Sequence, residues 1–174
     1  MAGMGLPTIY CWKIQINDLH VYLASTGKGA VRIGVALGRG DDCIEYFREL
    51  MPTNRLLKEF HPNLPLIKEV ESILQYNRHK RNLTFDFVCT PFQWLVYKAV
   101  ANIPFGETRS YGEIAFAVGK PNGARAVGQA LKKNPLPIIF PCHRVIGAGG
   151  IGGFSSGLAV KKYLLEMEKQ LRER

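Results

Sequence analysis

From Thr90 to Gly157, proline and glycine cut this chain so often that no long helix or strand can form there. Proline lacks the backbone N–H and fixes φ, while glycine frees φ, so each marks an element's end. Between these marks "TPFQWLVYKAVANIP" predicts an amphipathic helix with Pro91 in its first turn and Pro104 past its end. In "FGETRSYGEIAFAVG", Ser110 with Glu113 three residues on has capping-box spacing, and Gly119 is the stop. "NGARAVGQALKKN" predicts another short helix. Two short helices joined by a tight Gly-Pro turn have the helix-turn-helix outline. Beyond it the apolar Ile138-Ile139-Phe140 predicts a buried strand into Pro141, then a glycine-rich loop over 147–157, then a closing helix in "AVKKYLLEMEKQLRER".

The first ninety residues read differently. "IYCWKIQI", "HVYLAST" and "AVRIGVAL" are short, rich in β-branched and aromatic residues, and separated by "ND" and "GKG" turns, which predicts a β-meander. Asp41-Asp42 offers a cap for a helix through "CIEYFRELM", ended by Pro52. "NLPLIKEVESILQYNRH" predicts a helix with Ile67, Val70, Ile73 and Leu74 on one face, and "LTFDFV" alternates like a strand. The expectation is an α+β protein of two domains, 1–88 and 89–174. The first carries a short antiparallel sheet and the second is mostly helical.

The chain of 174 residues is 47% hydrophobic, as in soluble globular proteins. No segment approaches the roughly 18 consecutive apolar residues of a membrane span. "MAGMGLPTIYCWKIQ" lacks a basic start followed by an apolar run, so no signal peptide is expected. Four cysteines, at 11, 43, 89 and 142, form no CxxC pair and read as reduced thiols of a cytoplasmic protein. Residues 1–90 carry 11 basic and 9 acidic side chains; residues 91–174 carry 12 and 5. Most of the net +9 thus lies in the C-terminal half, the sign expected of a nucleic-acid partner. The second helix of the pair also carries small residues, Ala124, Ala126, Gly128 and Ala130, around Arg125. A helix so slim can press against a groove and let the arginine reach in.

The segment "NPLPIIFPCHRVIGAGG" sets a thiol, an imidazole and a guanidinium side by side. A cysteine becomes a nucleophile as thiolate, and a base, a cation or a helix N-terminus must help it there. On a regular strand Cys142 and His143 would face opposite ways; only a turn would bring them together. The local context leaves Cys142 balanced between a nucleophile and a small buried apolar residue. Cys11, Cys43 and Cys89 have no basic neighbours and read as packing.

"PCHRV" with its surroundings closely resembles the active-site segment of the O6-alkylguanine-DNA alkyltransferases, also called methylated-DNA–protein-cysteine methyltransferases. The resemblance runs through "TPFQ", "IPFGETRSYGEIA", "GARAVGQA", "NPLPIIFPCHRVIG" and "GGFSSGLAVKKYLLEME", over residues 90–170. It implies a small ribonuclease-H-like N-terminal domain and a winged helix-turn-helix-like C-terminal one. It also implies irreversible, single-turnover alkyl transfer from O6-alkylguanine, with O4-alkylthymine a further candidate, to Cys142. His143 would act through a water as base, Glu168 would orient the imidazole, and Asn134 would brace the active-site turn. The lesion must be flipped out of the duplex to reach a buried thiol. The resemblance has the helix pair act from the minor groove, with Arg125 entering the vacated stack, Tyr111 contacting the flipped base, and Ala124, Ala126 and Gly128 permitting the close approach. Pro137, Val145, Phe154 and Ser155 would line the guanine pocket, with Arg144 among the substrate- and DNA-binding residues. Phe154 stands where many relatives have tyrosine, which removes a hydroxyl contact.

No cofactor or metal is expected. Cys11, His20, Cys43, His61, His79 and Cys89 fit no compact zinc spacing. The expected partner is double-stranded DNA containing O6-alkylguanine, bound by a cytoplasmic, nucleoid-associated monomer that clusters along DNA. Three other readings are weaker. A lesion-binding relative without an acceptor would lack Cys142. A winged-helix regulator leaves the Cys-His-Arg turn and Glu168 unexplained. A thiol hydrolase has no use for a basic half and an arginine-bearing slim helix.

Overall fold

A computed structural model describes residues 6–38, 40–76 and 82–173. The chain divides into two compact units, Met1–Phe87 and Val88–Arg174. Together they make a mixed α+β protein.

The first unit holds strands β1 (Ile9–Ile16), β2 (Leu19–Thr26), β3 (Gly29–Leu37) and β4 (Leu56–Lys58), with helices α1 (Cys43–Leu50) and α2 (Leu64–Tyr76). The sheet order is β3-β2-β1-β4. β1, β2 and β3 form the antiparallel meander, with Trp12 opposite Leu23 and Leu23 opposite Ile33. β4 pairs parallel with β1, so the sheet is mixed rather than purely antiparallel. β2 is central and every residue of it is buried. Tyr22 and Ala24 share one core with Ile9, Cys11, Cys43 and Phe47, which places α1 over that face. The Asp42 carboxylate accepts from Ile44 N at 2.9 Å and caps α1. On α2 the predicted face of Ile67, Val70, Ile73 and Leu74 is buried; the end of the predicted helix, beyond Tyr76, lies outside the described residues.

"LTFDFV" forms no strand among the described residues. It is joined to β3 at Ala30, through an isolated bridge with Phe85 and two backbone bonds, Ala30 N to Thr84 O and Asp86 N to Ala30 O. Its apolar alternation is used instead by side chains such as Phe85 and Phe87, whose rings meet at 5.7 Å.

The second unit contains α3 (Pro91–Ala101), β5 (Arg109–Ser110), α4 (Tyr111–Ala117), α5 (Ala124–Lys132), β6 (Val145–Ile146) and α6 (Leu158–Arg172). Capping boxes open α3, through Thr90 and Gln93, and α4, through Ser110 and Glu113. Each satisfies amides that the helix itself leaves without partners. β5 and β6 pair in parallel and tie the start of α4 to the segment after Cys142. No helix among the described residues is long and apolar enough to cross a membrane.

The buried strand expected into Pro141 is a turn. Phe140 N donates to Leu136 O at 2.9 Å, closing a one-turn loop that an extended chain cannot make. Ile138 sits at φ 80°, a conformation costly for a β-branched residue and held only by its surroundings. Those surroundings are apolar and close: Phe140 stacks on Tyr97 at 5.3 Å and meets Trp94 edge-on at 5.9 Å. Burial supplied the hydrophobic run's stability without a sheet partner.

Candidate active site

Cys142, His143 and Arg144 form a single 3₁₀ turn after Pro141. Cys142 N donates to Phe140 O at 2.7 Å and Arg144 N to Pro141 O at 2.9 Å. The turn lets three adjacent side chains leave in three directions, and each finds a different environment.

Cys142 goes to a cavity of about 390 Å³, lined also by Tyr111, Gly128, Leu131, Lys132, Gly153, Phe154 and Ser155. That volume suits a small ligand. The thiol is 5% exposed. Burial pushes its pKa up to about 11, against the lowering effects of Asn134 and the Lys161 charge. A thiolate is therefore scarce at neutral pH, and attack by Cys142 requires a base that removes the proton as the reaction proceeds.

His143 is buried and turns to α6. Its Nε2 lies 2.7 Å from Glu168 Oε1. Burial alone would raise the Glu168 pKa. Hydrogen bonds and positive charge from His143 and Arg144 outweigh it and hold the carboxyl at about 2. An ionised carboxylate only accepts, so Nε2 carries the proton and Nδ1 carries the lone pair. Nδ1 is buried and has no protein hydrogen-bond partner. Burial lowers the His143 pKa, partly offset by Glu168, so the ring is neutral at physiological pH. The result is a neutral imidazole with a free basic nitrogen, one residue from the thiol. Phe154 meets the ring edge-on at 6.4 Å and forms part of the cavity wall.

Arg144, expected among the DNA- or substrate-binding residues, is 1% exposed and faces inward. Its Nε donates to both Glu168 oxygens at 3.0 and 3.1 Å, its Nη2 to Oε1 at 2.9 Å and its Nη1 to Ile103 O at 2.7 Å. The guanidinium also lies over Phe105, 5.3 Å from the ring centre. A buried guanidinium requires a counter-charge, and Glu168 supplies it. Gly106 N donates to Glu168 Oε2 at 2.9 Å, which fixes the carboxylate from a third side.

Asn134 ties the turn together. Its Nδ2 donates to Phe140 O at 2.7 Å and to Cys142 Sγ at 3.2 Å, and its Oδ1 accepts from Leu136 N at 3.0 Å. The last two bonds join the end of α5 and the Ile138 turn to the thiol itself.

Lys161 escaped the sequence reading. It is wholly buried on α6, donating to Val145 O at 2.6 Å and Gly153 O at 3.1 Å. The signal was present: Lys161 and Glu168 stand seven residues apart on the stripe that also buries Val160 and Leu164. Ionisable residues on an apolar stripe are rarely ornamental to packing alone. Lys132 and Leu131 on the cavity wall were also missed.

The remaining expected residues are dispersed. Tyr111, Gly128, Phe154 and Ser155 line the cavity, and Tyr111 Oη donates to Gly153 O at 3.4 Å. Gly152, at φ 73°, lies close enough that an added Cβ would stand 3.0 Å from the Tyr111 ring. Pro137 and Val145 are buried and absent from the cavity wall. The small residues of α5 do not make one stripe. Ala130 faces the core with Val127 and Leu131, while Arg125 and Ala126 are exposed. Residues two apart on a helix cannot share a face. No group of three metal-binding side chains occurs among the described residues, and His79 lies outside them.

The family described as "6-O-methylguanine DNA methyltransferase, DNA binding domain" matches residues 91–170. The inducible methylated-DNA–protein-cysteine methyltransferase of Bacillus subtilis is 35% identical over 165 residues, covering 94% of this chain and 92% of that protein. The crystal structure of Mycobacterium tuberculosis O6-methylguanine methyltransferase is similar with a TM-score of 0.74 and 32% identity, over 93% of each chain. That of Mycobacterium tuberculosis OGT in complex with DNA gives 0.73 at 32% identity, over 94% of this chain and 93% of that one.

Proposed function

The chain belongs to the methylated-DNA–protein-cysteine methyltransferase family, and from that premise we propose how its own residues carry out the repair. It reverses DNA damage by moving an alkyl group from O6-alkylguanine to a cysteine of its own. Cys142 is the acceptor. The observation that carries the assignment is the thiol on a cavity wall, next to a buried imidazole whose Nε2 is held by an ionised carboxylate.

In the reaction the Cys142 S–H proton passes to His143 Nδ1, through a water molecule. The sulfur attacks the alkyl carbon, the carbon–O6 bond breaks, and its electron pair leaves with guanine. Guanine then takes up one proton, which balances the one lost by the thiol. Glu168 stabilises the imidazolium while it exists, as in other carboxylate–histidine–nucleophile relays. A thioether is a poor leaving group, so each molecule acts once. Lys161 acts as a positioning residue. Its ammonium holds Gly153, next to Phe154 in the cavity wall, to Val145 beside the catalytic turn.

The α4–turn–α5 pair is read as the helix-turn-helix of a winged-helix-like domain, the first unit as ribonuclease-H-like. Tyr111 contacts the extruded base and Arg125 enters the space it leaves. The basic residues of the second unit supply salt-sensitive attraction to the phosphates of double-stranded DNA. The protein works as a monomer that clusters on DNA, in the cytoplasm where the nucleoid lies.

The test is intact-mass spectrometry after incubation with excess O6-methylguanine duplex, followed by peptide mapping. One added methyl per molecule, on Cys142, is expected, and none in Cys142→Ala. Methyl removal from DNA by Cys142→Ala would refute the assignment.

A further inference from the structure

Arg125 and Gln129 are both exposed and stand four residues apart on α5. That spacing puts them on one face of the helix. Each borders two separate surface depressions. The first also includes Tyr111, Gly128 and Gly153, which it shares with the Cys142 cavity. The second contains Asn122, Gly123 and Ala126 and shares no residue with that cavity. The pair therefore forms a ridge, with the route to the thiol on one side and a trough that does not reach it on the other.

On the reading above, which this inference requires, Arg125 occupies the place of the extruded nucleotide. Four residues of α-helix rise about 6 Å. Stacked bases are spaced about 3.4 Å apart. With α5 lying along the minor groove, Gln129 stands one to two base-pair steps from the vacated position, over base pairs that stay stacked. A neutral carboxamide adds little to phosphate attraction, so its contribution must come from hydrogen bonds. In the minor groove A·T pairs present only acceptors, whereas guanine adds the donor N2 amino group beside its N3 acceptor. A carboxamide matches that pattern with both ends: Nε2 donates to N3 and Oε1 accepts from N2. Against A·T the carbonyl faces an edge with no donor. Gly128 and Ala126 beside it add little bulk, which lets the amide reach the base edges.

We propose that Gln129 reads the minor-groove edge of the base pair next to the lesion and favours guanine there through its 2-amino group. The protein's repair of O6-alkylguanine would then depend on flanking sequence.

The experiment compares single-turnover repair of O6-methylguanine in two duplexes, flanked on both sides by G·C or by inosine·C. Inosine lacks only the 2-amino group, so the major groove is unchanged. Transfer is read as methylation of Cys142 by mass. The unaltered protein should repair the G·C-flanked lesion about fivefold faster, the lower end of what a bidentate base contact discriminates. In Gln129→Ala the ratio should fall to about one or below. Weaker inosine·C pairing eases extrusion and pushes the ratio the opposite way, so a ratio above one reports the amino contact. Each ratio is taken within one protein, which cancels any general weakening of the variant. A ratio of one in the unaltered protein, or the same ratio in both proteins, overturns the proposal. Absence of methyl on Cys142 with either duplex would instead overturn the repair reading beneath it.

Discussion

Replacing Glu168 by glutamine keeps the side chain's size and removes its charge. In the native protein the carboxylate accepts from His143 Nε2, Arg144 Nε and Nη2, and Gly106 N. Its pKa is held at about 2 against an ordinary 4.5. That difference corresponds to about 3 kcal/mol favouring the ionised form in the folded protein. Glutamine cannot replace it and leaves the Arg144 guanidinium buried without a counter-charge. Breaking a buried pair from one side costs about 3–5 kcal/mol. Glu168→Gln should therefore lose at least ~3 kcal/mol of stability at pH 7. The sign with pH follows from the lowered folded pKa. The contribution is complete above about 4.5 and disappears as pH falls towards 2; by pH 3 about 2 of the 3 kcal/mol is gone. His143, whose pKa burial also lowers, adds an acid-side loss in both proteins. The chain has two tryptophans, one in each unit. A Trp12→Phe background thus leaves Trp94, edge-on to Phe140, as reporter for the second unit. Guanidinium titrations of both proteins at pH 7 and pH 3 should show the gap between them closing. A gap of the same size at both pH values would refute the claim that the Glu168 charge sets it.

Lys161→Met should keep α6 packed while releasing Val145 and Gly153, so thermal stability changes by a few degrees at most and alkyl transfer to Cys142 slows at least tenfold. Measuring both on one preparation checks it; transfer at the native rate in Lys161→Met would refute the positioning role. Arg125→Ala should leave Cys142 reactive towards free O6-methylguanine base and weaken repair of the same lesion in duplex DNA; equal losses on both substrates would contradict its place in the vacated stack.

The three strands of the meander and the two capped helices were legible because their signals are local. Alternation, turn residues and a Ser-x-x-Glu spacing all act within a few residues. "LTFDFV" misled because alternation is no use to a strand that finds a partner at one residue, and "IIF" because an apolar run states only that the residues want burial. Ile138 satisfies that demand in a left-handed turn, held by Asn134 and by Phe140 against Tyr97. The same limit hid the charges. Arg144 follows Cys142 and His143 in sequence, yet its role depends on Glu168, 24 residues away. Adjacency marked the Cys142–Arg144 turn but could not say which of its side chains would face the cavity and which the core. The acceptor role proposed for Cys142 was read through the resemblance rather than from the thiol alone.

A molecule consumed by every event must last unspent until its lesion arrives. Peroxide and soluble electrophiles attack cysteine as thiolate and in proportion to its exposure. Cys142 is 5% exposed with a pKa near 11, so it offers such reagents little to react with. The burial that makes the thiol a poor nucleophile at rest therefore gives the protein a shelf life. Fewer copies are then spent on reagents other than the lesion.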